Sequence, residues 1–111
     1  MTQELPMTEA ELLRKVVALG ADHHLEVFHC RDSRGSSGRG FPDLVIAGRR
    51  GVVFVELKSS AGSLTPEQRR WGSVLREAGQ RWIVWRPSEL DNGTIERELG
   101  TIATHRQTSL I

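Results

Sequence analysis

The chain has 111 residues, 38% hydrophobic and 26% charged, with a formal net charge of +1: enough for one domain with a modest core. The near-neutral charge argues against a strongly basic protein that coats nucleic acid, and apolar runs such as Val52 to Val55 are far too short to cross a membrane. A lone cysteine, Cys30, excludes an intrachain disulfide and a cysteine-based zinc site.

No basic stretch followed by a long apolar run opens the chain, so no secretory leader is expected and the cytoplasm is the expected location. Thr8 opens the first predicted helix, and Glu11 completes a capping box three residues on. Leu12, Leu13, Val16, Val17 and Leu19 supply its apolar stripe, and Gly20 is expected to end it. Leu25 to Cys30, with Val27 and Phe28, reads as a strand. Residues 31–40 are rich in glycine, serine and arginine and read as a loop.

Two apolar runs then flank Gly48-Arg49-Arg50-Gly51, read as a four-residue hairpin loop. If Ala47 pairs with Val52, Asp43 falls opposite Glu56. Directly opposed antiparallel residues have Cβ atoms about 4.5–5.5 Å apart, so two carboxylates there repel unless a cation sits between them. Lys58 lies two residues past Glu56 and projects from the same strand face. Two oxygen donors and an ammonium on one face suit Mg²⁺-assisted attack on a phosphate. Both faces of Val52–Lys58 carry apolar residues, which marks a central strand covered on both sides.

Thr65-Pro66-Glu67-Gln68 opens a second helix, with Thr65 as cap, Pro66 at the first helical position and Gln68 completing the box. Gly79 stops it. Arg81 to Arg86 reads as a strand that Pro87 ends. Asn92-Gly93 reads as a turn, Thr94 to Leu99 as a short helix, and residues 100–111 as a frayed tail. The basic side chains number thirteen arginines and only two lysines, Lys15 and Lys58. A GC-rich coding sequence is one reading of that bias; the other is that arginine grips phosphate with its planar fork.

The expected class is α/β (α+β), with element order αβββαβ and a central mixed sheet flanked by helices on both faces. Pro42-Asp43 and Glu56-Leu57-Lys58 resemble the motif of the PD-(D/E)XK nuclease superfamily, whose core is restriction-endonuclease-like. Within it, Gly40-Phe41-Pro42-Asp43-Leu44-Val45, Val55-Glu56-Leu57-Lys58-Ser59 and Gly62 to Gln68 with Trp71 resemble a small stand-alone VRR-NUC domain of the phage or bacterial type. The resemblance implies a single VRR-NUC domain over residues 1–111, with its core at about residues 8–90.

The same resemblance implies roles. Asp43, Glu56 and the backbone carbonyl of Leu57 would hold Mg²⁺ or Mn²⁺. Lys58 would position or deprotonate the attacking water, and Gln68 would orient the water or Lys58. A first-helix acid would stand close to the metal, with Glu9 and Glu11 as the candidates. Helix phase favours Glu9, which shares the inward face with Leu12 and Leu13, whereas Glu11 is occupied in the capping box. The implied activity is endonucleolytic hydrolysis of DNA, selective for branched or structured forms as in Holliday-junction resolvases, by a homodimer and without an organic cofactor. A general nicking or restriction-type nuclease and an inactive nucleic-acid-binding module are the alternatives. Arg31, Arg34 and Arg39 are candidate contacts to the DNA backbone. His29 could face the mouth of the site, and Trp71, Trp82 and Trp85 read as core or interface residues.

Overall fold

The central hairpin organises the sheet. In the computed structural model, which describes residues 5–30 and 38–103, β2 (Leu44–Gly48) and β3 (Gly51–Leu57) pair antiparallel with Ala47 opposite Val52. The pairing runs one rung further than expected. Gly48 faces Gly51, so the turn is the two-residue Arg49-Arg50. β1 (Glu26–His29) adds antiparallel to β2, and β4 (Arg81–Trp85) adds parallel to β3. The order β1-β2-β3-β4 makes β3 an inner strand and the sheet mixed, as its two-sided apolar pattern requires.

The helices cover both faces. Alternation along β3 sends Val53, Val55 and Leu57 to one side. There they meet Leu12 and Val16 of α1 (Glu9–Asp22) and Ile95, Leu99 and Ile102 of α4 (Thr94–Ala103). Leu44, Ile46 and Trp85 complete this core. Each such fully buried aliphatic side chain contributes about 1.5–3 kcal/mol. Phe54 and Glu56 project to the other side, where α2 (Pro66–Glu77) lies on β4. Among the described residues no helix is long and apolar enough to cross a membrane.

Three expectations change. Gly20 does not end α1, which runs to Asp22. A Cβ at Gly20 would stand 2.6 Å from Val27 Cγ2, so the glycine answers a close approach of β1. Pro87 ends β4 but also occupies the first turn of a further helix, α3 (Pro87–Asp91), whose Glu89 accepts from the Arg86 N–H. The last helix continues past Leu99 to Ala103 because Ile102 is buried on the same stripe as Ile95 and Leu99. Residues 104–111 lie outside the described part.

Gly72 sets how closely α2 approaches the sheet. A Cβ there would meet three ring atoms of Trp82 at 2.7–2.8 Å. Gly72→Ala is therefore expected to lower stability by about 1–3 kcal/mol, despite the better helix propensity of alanine. Denaturant titration measures this, and an unchanged midpoint would show that the Trp82 ring yields without cost.

Candidate active site

The site forms where β2 and β3 part. Their ladder stops at the Leu44–Val55 pair, and the next residue on β2's side is Asp43. Its carboxylate takes over the ladder's work: Oδ2 accepts from the Leu57 N–H at 2.8 Å. Its backbone carbonyl accepts from Cys30 N–H at 2.8 Å, continuing the β1–β2 ladder. A strand residue's N–H and C=O point to the same edge, so the Leu57 carbonyl also faces the Asp43 side.

The segment that delivers Asp43 is held by α2. Gly40 has φ +87°, a left-handed conformation that suits glycine, and a Cβ there would stand 2.6 Å from the backbone of Glu67. Phe41 packs edge-on against both Phe54 and Trp71, and Pro42 is fully buried. Trp71 Nε1–H donates to the Arg39 carbonyl at 3.1 Å. The three tryptophans thus work in packing: Trp82 and Trp85 are buried, and Trp71 clamps the strand entry.

Glu56 is only 2% exposed, on the face toward α2. Gln68 reaches it from the first turn of that helix. Gln68 Oε1 accepts from the Thr65 N–H at 2.9 Å, which turns Nε2 outward to donate to Glu56 Oε2 at 2.7 Å. One amide therefore closes the capping box and holds the carboxylate. Lys58 is 8% exposed, and its Nζ lies 3.9 Å from the same Oε2. Glu56 Oε1 is buried and has no hydrogen-bond partner among the described residues.

That orphaned oxygen has an electrostatic consequence. Burial pushes the Glu56 carboxyl up to about 8, the negative charges of Asp43 and Glu9 push the same way, and Lys58 opposes. A buried carboxylate with one unsatisfied oxygen beside a half-buried one fits a divalent cation. The charge would repay the desolvation, and Oε1 would gain a partner. Among the described residues no three of His, Cys, Asp and Glu converge as a ligand cluster. The residues that could hold such an ion would be two carboxylates and a carbonyl. That suits Mg²⁺, which keeps waters or substrate oxygens on its other positions.

An open cavity of about 150 Å³ leads to Asp43, lined by Glu9, Ala10, Leu13, His29, Asp43 and Leu57. Of the two helix candidates, Glu9 lines this cavity, one turn before Leu13. Glu11 instead accepts from the Thr8 N–H and hydroxyl, which lowers its carboxyl below the usual range. His29 is exposed at the same mouth. Arg39 is exposed beside the Gly40 segment, and Arg31 and Arg34 lie outside the described residues. Sequence reasoning did not single out Arg86, whose guanidinium holds the turn after Lys58. Only its place at the end of a strand parallel to β3 could have drawn attention to it.

A mixed sheet that presents an acidic pair and a lysine at its splayed strand ends is the arrangement of a nuclease-type domain. The family model described as "VRR-NUC domain" matches residues 3–88, so the chain belongs to the VRR-NUC domain family. A solved structure titled "VRR_NUC domain protein" is similar in fold, with a TM-score of 0.66 and 20% identity over 95% of this chain and 98% of that one. No curated protein matches the chain.

Proposed function

We propose that this protein is a divalent-cation-dependent endonuclease that hydrolyses DNA phosphodiester bonds, selective for branched or structured DNA. The observation that carries the reading is the buried Glu56 Oε1, without a partner among the described residues, beside the Asp43 carboxylate and the Lys58 ammonium. Asp43, Glu56 and the Leu57 carbonyl would hold Mg²⁺ or Mn²⁺. The bound ion supplies Lewis acidity at the phosphate and a water of lowered pKa.

The chain's own residues do the rest. The Leu57 N–H fixes Asp43, and Gln68 fixes Glu56, so neither carboxylate has to reorganise during the reaction. Lys58 orients the attacking water and stabilises charge accumulating on the phosphate. The water oxygen adds to phosphorus and sheds a proton as the bond to the leaving sugar oxygen breaks, and that oxygen takes up a proton from solvent. Glu9, which lines the cavity beside Asp43, would stand close to the cation, and exposed Arg39, with Arg31 and Arg34, would contact the DNA backbone.

Branched-DNA selectivity rests on the family likeness and on a physical argument. One small domain offers a small footprint, and two active sites related by a two-fold axis match the two strands of a junction. A cytoplasmic homodimer is accordingly proposed. Light scattering at micromolar concentration is expected to give twice the chain mass, and four-way junctions are expected to be cut faster than linear duplex. A monomer that cuts both equally would replace this reading with a general nicking nuclease. Tight binding in chelator with no cutting under any cation would make the chain an inactive binding module.

A further inference from the structure

Resting on that reading, we propose that Arg86 is a positioning residue: it clamps the 59–62 turn and thereby fixes where the Lys58 ammonium stands. Arg86 follows directly on β4, whose Trp85 pairs with Leu57 and accepts from the Lys58 N–H at 3.0 Å. Its Nη1 donates to two carbonyls of the turn after Lys58, Ser59 O and Gly62 O, each at 2.7 Å. Charge-assisted bonds of this length are about twice as strong as neutral ones. The turn is further closed by the Gly62 N–H donating to Ser59 O at 3.2 Å.

The clamp bears on the lysine through Gly62. A Cβ at that position would stand 3.5 Å from Lys58 Cδ, so the turn backbone lies against the lysine stem. The anchor is itself stiff. The Arg86 N–H donates to Glu89 Oε1 at 2.7 Å, and Pro87 is buried at the start of α3. The Lys58 ammonium is thus set from both ends, by the strand ladder at its backbone and by the clamped turn along its stem. The geometry needed for attack on phosphate is intolerant: a displacement of about 1 Å can cost about 100-fold in rate.

Arg86→Gln and Arg86→Lys separate this role from general stabilisation. The chain has only two lysines, so a lysine-labelled sample gives one Lys58 signal and one Lys15 reference signal by NMR. In the native protein the two Lys58 Hε protons should be inequivalent, because the stem is held in one conformer. Arg86→Gln is expected to collapse that inequivalence while leaving Lys15 unchanged. It is also expected to lower kcat by about 100-fold, with KM and DNA binding in chelator unchanged. Arg86→Lys, which can still reach one carbonyl, should recover part of the rate. An unchanged Lys58 signal in a folded Arg86→Gln variant overturns the proposal, as does a loss seen only in KM or thermal stability. If the native protein cuts no DNA, the nuclease reading fails, and the Lys58 signal alone decides whether Arg86 positions the lysine.

Discussion

Asp43→Asn is expected to lower cleavage by about 10³-fold and to leave the fold intact. The asparagine keeps an oxygen for the Leu57 N–H, so the bond that seals the end of the β2–β3 ladder survives. What disappears is the second negative charge. Asp43→Ala makes a poorer test, because the Leu57 amide then loses its partner at a cost of about 1–3 kcal/mol. Single-turnover rates beside circular dichroism melts separate the two effects. Activity within a few-fold of native in a folded Asp43→Asn protein would remove Asp43 from the site.

The second large effect concerns Glu56 and runs against function. Its carboxyl stands near 8 in the metal-free fold, against an ordinary value of 4.5. Between those values the folded state holds a proton that the unfolded chain has released. The stability associated with that proton is full below the ordinary value and is lost as the pH rises toward 8. In chelator, Tm is expected to fall by about 10 °C from pH 5 to pH 8.5. Glu56→Gln should flatten that slope and raise stability at the alkaline end by about 2–4 kcal/mol, since the amide still accepts from Gln68 and carries no charge. Mg²⁺ should restore the native protein at high pH, release a proton when it binds below pH 8, and do nothing for the variant. A Glu56→Gln protein that melts lower than native at pH 8.5 without metal would show that the buried charge is not a burden.

Much of this arrangement was legible in the sequence, because the site is built from local rules. The Gly-Arg-Arg-Gly turn set the hairpin register, which carried Asp43 to Glu56 across the strand pair. The Thr65 capping box placed Gln68 in the first turn of α2, although its two-handed use of the amide needs the packed sheet to be seen. Gly20 misled because a glycine near the end of an apolar stripe looks like a stop, whereas tertiary contact with Val27 is what requires it. Pro87 with Glu89 was a helix-start signal hidden behind its other role as a strand stop. The continuation past Leu99 to Ile102 was hidden too, because the burial of Ile102 under the Arg49-Arg50 hairpin comes from contacts distant in sequence; the Arg50 N–H donates to its carbonyl at 3.0 Å. Arg86 was invisible for the same reason, since its partners lie far upstream and are backbone carbonyls that carry no residue signature.

The proposed function stands on the Asp43, Glu56 and Lys58 constellation cutting DNA with a divalent cation. The most direct measurement incubates native protein and Lys58→Ala with end-labelled duplex, single strand, splayed arm and four-way junction in Mg²⁺, Mn²⁺ or EDTA. Cutting by the native protein in either cation, none in EDTA, and a loss of about 10³-fold or more in Lys58→Ala are expected. Cutting that persists in EDTA, or equal cutting by Lys58→Ala, would contradict the proposed function.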